Sequence, residues 1–459
     1  MKRNWLILAV ATVVLYGCSP AKKIGGTVTP TSMEILLADS ALAGAHTGIY
    51  VYNPASGKAL YSYQSDKYFV PASNTKLFTC YAGMKYLGDS LVGLRYTLVN
   101  DSQMVVQPAG DPTFFHSDFK TNPVYDFLKK QPRHFTIDAS NWKETGLGNG
   151  WAWNDYDELY MSERSPMPIY ENALTLTLKK TATLNDNIRD KQTNSGGIGF
   201  SVTSFPTPEL AYHFKTDSAL KTVYLKRDFS KNNFFISAPA KAATFETQMP
   251  FVTDGIKSTK EILMSNHPEL LLQENQTSDI GHRTWLSIHS QPTDSLFKPM
   301  MHRSDNFFAE QTLLMVSNEK LGYMNDRAII DMLLKTDLAD LPQQPVWVDG
   351  SGLSRYNLFT PQDFVKVLEK MKNEFGLERM KVILPTGGEG TISSYYKSIT
   401  NQIFAKTGTL SGQVAISGYL FTKSNTLLLF SILVNNQTNT ATAVRKALEK
   451  FVLDIWEKN

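Results

Sequence analysis

Ser73-Asn74-Thr75-Lys76 places a hydroxyl and an amine at i and i+3. On a helix both project from one face, about one turn apart. The amine can take the serine proton if it is neutral when it acts, which requires burial or a neighbouring positive charge. Serine and lysine recur at this spacing elsewhere, as at Ser117/Lys120 and Ser394/Lys397, so spacing alone selects nothing. Position does. Ser73 follows Pro71-Ala72 at the expected start of a helix, where free N–H groups and the dipole favour a developing negative charge.

Two further groups offer compatible chemistry. Ser304-Asp305-Asn306 opens an expected helical stretch from Phe307 to Met315 and presents a proton-relaying hydroxyl beside an amide able to hold a peptide carbonyl. Lys406-Thr407-Gly408-Thr409 occurs once, just before an expected hairpin whose strand edge could pair with an extended peptide. The Lys406 cation would face a substrate carboxylate, and Gly408 would let the backbones approach closely.

The elements that must position these residues lie near the two ends of the chain. Gly48 to Tyr63 reads as a hairpin around Asn53-Pro54-Ala55-Ser56-Gly57, followed by a helix from Ser73 to Leu87 with Ser73 or Asn74 as its cap and Gly88 as its stop. Val414 to Phe421 and Thr426 to Val434 form a second hairpin. In the last segment, Thr440 to Glu457, Val444, Leu448, Phe451, Val452 and Ile455 recur at helical spacing. Strands at both ends imply one sheet assembled from distant segments, with the middle inserted. Residues 94–285 have a different texture, with short β-like runs at Arg133 to Ile137, Leu174 to Leu178 and Val223 to Lys226. There, Trp142, Trp151, Trp153, Tyr156 and Tyr160 read as a clustered aromatic core without a site role.

Composition narrows the classes. At roughly 150 residues per domain, 459 residues allow about three domains, and 42% hydrophobic with 19% charged residues is ordinary globular composition. A net charge of +3 and the lack of a basic patch give no sign of nucleic acid binding. Two cysteines exclude a disulfide scaffold and a Cys-rich zinc module. No Gly-x-Ser-x-Gly elbow or His-Glu-x-x-His pair occurs, and the eight histidines lack metal-ligand spacing. Cys80, one turn after Lys76, reads as a packing residue.

Met1-Lys2-Arg3 followed by the apolar run Trp5 to Tyr16 reads as an export signal, since a membrane-spanning helix needs about twenty apolar residues. Leu15, Gly17 and Cys18 resemble the lipobox of bacterial lipoproteins, which implies lipidation at Cys18.

In this order, Ser-x-x-Lys, Ser-x-Asn and Lys-Thr-Gly form the signature of penicillin-binding proteins and serine β-lactamases. The wide gap from Ser73 to Ser304 resembles the class C low-molecular-mass penicillin-binding proteins, the serine-type D-alanyl-D-alanine carboxypeptidase/endopeptidase family. Also similar to that family are Gly110-Asp111-Pro112-Thr113, Gly150 to Asp155, Asp349 to Arg355, and Leu384 to Thr391. The resemblance implies an α+β fold: a penicillin-binding/serine β-lactamase-like transpeptidase domain with an antiparallel sheet flanked by helices and a β-rich insertion between the first and second motifs. The expected division is a signal peptide at 1–17, a tether and lead-in at 18–44, a catalytic domain from 45–93 plus 286–459, and the insertion at 94–285.

The resemblance further implies that Ser73 attacks the penultimate D-alanine carbonyl of a peptidoglycan stem peptide, with Lys76 as base and no metal or cofactor. Ser304 would link the leaving amine to Lys406, and Asn306 would orient the substrate backbone. The N–H groups of Ser73 and Thr409 would form the oxyanion hole. Thr407, Thr409 and Lys406 would bind the terminal carboxylate beside Gly408. β-Lactams would acylate Ser73, and the exported, periplasmic protein would meet a membrane only through lipid on Cys18. A β-lactam hydrolase and a non-catalytic cell-wall binding lipoprotein are the alternatives on the same fold.

Overall fold

A computed structural model describes residues 31–180, 200–239, 244–273 and 284–459. The expected signal segment and Cys18 lie outside the described residues.

The strand Leu427–Asn435 reads Leu-Leu-Leu-Phe-Ser-Ile-Leu-Val-Asn, apolar at almost every position. Such a run suits a strand covered on both faces, and this one occupies the centre of a five-stranded sheet. The order is Ile403–Leu410, Gln413–Phe421, Leu427–Asn435, His46–Asn53, Lys58–Tyr63, antiparallel throughout. Both expected hairpins therefore join in one sheet. The first is turned by Asn53, whose Oδ1 accepts from the N–H groups of Ala55 (2.9 Å) and Ser56 (3.2 Å).

Because side chains alternate across a strand, Leu429 and Leu433 enter one core while Leu428, Phe430 and Ile432 enter another. The first core holds the helices Lys76–Tyr86, Asn306–Leu321 and Pro361–Phe375. The second holds the C-terminal helix Ala441–Lys458 and the short helix Ser32–Leu37, with Val444, Leu448, Phe451, Val452 and Ile455 facing inward as their spacing predicts. Cys80 is fully buried in the first core, and burial pushes its thiol far up, as befits a packing residue.

One local expectation fails. Ala72–Thr75 forms a 3-10 turn, and the α-helix starts only at Lys76, with no side-chain cap. Asn74 lies inside that turn and its side chain faces the sheet, where Nδ2 donates to Ser417 Oγ (2.7 Å), a buried serine of the second sheet strand, so its Oδ1 caps no helix N–H. Ser73 lies within the turn, one residue after Ala72, which holds a left-handed φ of 48°. Gly88, at φ 67°, follows the helix end as expected.

The chain leaves this body along Ser90–Asn100 and returns along Leu286–Pro292, and these two strands pair with each other. With Gln103–Pro108 and His134–Ile137 they make a four-stranded sheet; two three-stranded sheets follow, built from Ala173–Lys180, Phe200–Phe205 and Phe245–Pro250, and from Ala211–Thr216, Tyr224–Arg227 and Asn233–Ala238. This β-rich region encloses its own core around Phe135, Leu174, Phe234 and Phe251. Pairing the outgoing and returning strands lets a large insertion close on itself with little strain on its host.

Candidate active site

From 71 to 80 every residue is buried except Ser73, which is half-buried. The turn that lifts it out is held from several sides. Thr75 Oγ1 donates to the Ala72 carbonyl (3.0 Å), and Thr79 Oγ1 donates to the Gly350 carbonyl (2.6 Å). At Gly352, with φ 80°, a Cβ would lie 1.9 Å from the Ala72 oxygen, so only glycine fits.

Lys76 Nζ, fully buried, sits 3.0 Å from Ser73 Oγ, 2.7 Å from Asn306 Oδ1 and 2.8 Å from the Ser351 carbonyl. The orientation of the Asn306 amide is fixed because its Nδ2 donates to the Tyr160 carbonyl (2.8 Å). Two of the three Nζ partners can only accept, whereas the serine hydroxyl can also donate. A neutral amine therefore spends both hydrogens on Asn306 and Ser351 and aims its lone pair at the Ser73 hydroxyl. Burial lowers the Lys76 pKa to about 8, and the negative charges of Asp349, Glu310 and Asp305 keep it from falling further.

Those carboxylates also shape the loop that holds Lys76. Glu310 Oε1 accepts from the Ser351 N–H (2.7 Å), and its burial beside Asp349 pushes it up to about 7. Asp349 accepts from the N–H groups of Gly352 (2.8 Å) and Ser354 (2.6 Å), from Asn357 Nδ2 (2.7 Å) and from Trp151 Nε1 (3.0 Å). Arg164, wholly buried, lies 2.6 Å from Asp326 and 3.5 Å from Glu310.

Ser304 precedes the helix Asn306–Leu321, which Asp305 caps by accepting from the Phe308 N–H (2.9 Å). Its φ is 63°, a strained value for a serine, of the kind that collects at functional loops. Lys406 Nζ donates to Ser304 Oγ (2.8 Å) and to the Thr407 carbonyl (2.6 Å). Burial and the nearby Lys76 charge depress the Lys406 pKa strongly. Ser73, Lys76, Ser304, Asn306 and Lys406 thus form one cluster, joined through two lysines.

Gly408 brings the edge strand against Ser73. A Cβ there would meet the Pro71 carbonyl at 2.6 Å and the Ser73 nitrogen at 3.0 Å. Gly408→Ala should therefore push the strand away from Ser73 and slow acylation of its hydroxyl by about tenfold to a hundredfold, in line with a misplacement of about 1 Å. Acylation kinetics check this, with a thermal melt to show that the fold survives; unchanged acylation would mean that the strand has slack. Thr407 Oγ1 lies 2.7 Å from Thr391 Oγ1, and Thr409 Oγ1 accepts from Arg445 Nη2 (2.6 Å).

The insertion also enters the site, which corrects the reading of its aromatics as one core. Of Trp142, Trp151, Trp153, Tyr156 and Tyr160 only Tyr156 is buried, with Arg227 over its ring, whereas Trp153 is 75% exposed. Trp151 reaches Asp349, and the Tyr160 backbone reaches Asn306. A polar tip on each ring was the available signal for Trp151; a backbone carbonyl such as that of Tyr160 gives none.

A model of the D-Ala-D-Ala carboxypeptidase 3 (S13) family matches residues 30–455. The chain belongs to that family. It is 25% identical over 423 residues to the D-alanyl-D-alanine carboxypeptidase DacB of Haemophilus influenzae, covering 82% of each chain. It is 26% identical to a D-alanyl-D-alanine carboxypeptidase of Actinomadura sp. (strain R39), covering 94% of this chain and 86% of that one. In fold it is similar to penicillin binding protein 4 of Haemophilus influenzae, with a TM-score of 0.72 at 21% identity over 93% of this chain and 99% of the other. The expected α+β, penicillin-binding type of fold is thereby borne out.

Proposed function

We propose that this family member is a serine-type D-alanyl-D-alanine carboxypeptidase acting on peptidoglycan stem peptides, with a DD-endopeptidase activity at the same site. The observation that carries the reading is the placement of Lys76 Nζ, whose two acceptor-only partners leave its lone pair for the half-buried hydroxyl of Ser73. Ser73 Oγ attacks the carbonyl of the penultimate D-alanine as its proton passes to Lys76. The N–H groups of Ser73 and Thr409 receive the oxyanion; losing one such donor costs about 3–4 kcal/mol in other hydrolases.

The C–N bond then breaks. The departing amine of the last D-alanine takes a proton through Ser304, which hydrogen-bonds to Lys406, and water later hydrolyses the Ser73 ester. Asn306 holds Lys76 and orients the substrate backbone, while the Thr407 and Thr409 hydroxyls meet the terminal carboxylate, and Lys406 stays bonded to Ser304. A β-lactam acylates Ser73 by the same attack, its ring amide opening.

Export through the N-terminal signal, with lipid on Cys18 as a membrane anchor, puts the enzyme beside its polymer in the periplasm. Among the described residues no helix is long and apolar enough to cross a membrane.

The test is release of free D-alanine from an N-acylated pentapeptide ending in D-alanyl-D-alanine, alongside mass spectrometry of the protein after penicillin. Turnover with a penicillin adduct on Ser73 is the expected result. An adduct without turnover would favour a cell-wall binding protein, and rapid loss of the adduct as hydrolysed penicillin would favour a β-lactam hydrolase.

A further inference from the structure

Arg445 belongs to none of the three motifs and lies on the C-terminal helix, on the face of the sheet opposite Lys76. Its neighbours Val444, Ala447 and Leu448 are buried and fix the helix, so the half-buried Arg445 reaches the edge strand that carries Lys406. We propose that Arg445 is the charged recognition group for the free C-terminal carboxylate of the substrate, acting with the hydroxyls of Thr407 and Thr409; this rests on the carboxypeptidase reading above.

The edge strand divides its labour between two faces. Lys406 and Gly408 turn toward Ser304 and Ser73, whereas Thr407 and Thr409, two residues apart, share the other face. Arg445 Nη2 donates to Thr409 Oγ1 at 2.6 Å, and Arg445, Thr407, Thr391 and Tyr395 line one crevice at that edge. A peptide with its scissile carbonyl at Ser73 has only one residue left beyond the bond, so its carboxylate arrives close to these hydroxyls.

Charge separates Arg445 from the alternative cation. Lys406 Nζ is already bonded to Ser304 and to the Thr407 carbonyl, and burial with the Lys76 charge disfavours its protonation. A guanidinium keeps its charge and presents a planar fork suited to a carboxylate. Among the described residues no carboxylate pairs with Arg445. Glu449, one helical turn on, is the natural i,i+4 partner, but its Oε1 accepts from the Tyr396 N–H at 2.6 Å. The cation is left available, with a neutral threonine hydroxyl as its partner.

Arg445→Gln keeps an amide able to bond Thr409 and removes the charge. On an acyl-D-alanyl-D-alanine peptide, kcat/KM should fall about tenfold to a hundredfold, as for a lost hydrogen bond to a charged group. On the same peptide ending in a carboxamide it should change little, and Arg445→Lys should recover part of the loss. Equal losses on acid and amide, or no loss on the acid, would overturn the proposal. Acylation by benzylpenicillin against its methyl ester makes the same comparison without D-alanine release. If the parent enzyme releases no D-alanine while Arg445→Gln still slows penicillin more than the ester, the carboxypeptidase reading fails and the assignment of Arg445 stands. If penicillin and ester respond alike, the assignment falls.

Discussion

Ser73→Ala should abolish covalent penicillin labelling and D-alanine release while leaving the fold intact. Serine hydrolases that lose the nucleophile fall by roughly a millionfold in kcat, to the level set by binding and the oxyanion hole alone. The structural cost is small, because Ser73 is half-exposed and its hydroxyl meets only Lys76 among the described contacts. Lys76 keeps Asn306 and Ser351 as partners, and the turn keeps the Thr75 and Thr79 bonds that shape it. Intact-mass spectrometry with excess penicillin reads labelling, and a thermal melt should shift by no more than a few degrees. An adduct that persists in the variant would place the nucleophile elsewhere; Ser304, whose hydroxyl touches Lys406, would be the first candidate to examine.

What could be read before the structure was whatever a short stretch of chain determines by itself. The strand pattern and the Asn53 turn specify the first hairpin, and the heptad-like spacing from Val444 to Ile455 specifies the inward face of the last helix. The three motifs come together because each sits at the end or edge of such an element. The supporting groups were illegible for a different reason. The carbonyls of Ser351 and Tyr160, which hold Lys76 and Asn306, carry no residue type to recognise. Glu310, Asp349 and Arg445 do carry one, but their roles depend on contacts with segments far away in sequence. The same holds for Asn74, which looks like a helix cap but lies inside a 3-10 turn with its side chain directed at Ser417. The three sheets of the insertion include parallel pairs, such as Gln103–Pro108 with His134–Ile137, that no local turn announces.

Lys76→Met should slow acylation by about a thousandfold to ten-thousandfold, the range for removal of a positioned proton acceptor. Methionine retains the apolar stem at a fully buried site and removes a group that is costly to charge there. The Asn306 Oδ1 and Ser351 carbonyl would each lose a donor, at about 1–3 kcal/mol for a buried acceptor, which the relief of the buried amine partly offsets. The pH profile separates loss of the base from simple damage. With the Lys76 pKa lowered to about 8, the reactive neutral amine is the minor form at pH 7 and the major form at pH 9. Acylation kcat/KM for the parent enzyme should therefore rise with pH through about 8 and level off above it. In Lys76→Met that rise should vanish from the residual rate. A limb that persists near 8 would show that another group takes the proton, and Lys406 through Ser304 is the other amine in place to do so. Loss of the Lys76 charge would raise the Lys406 pKa, because that charge is one of the two causes of its depression. A limb displaced upward in the variant would identify Lys406 as the group titrating, whereas a flat profile leaves the proton transfer with Lys76.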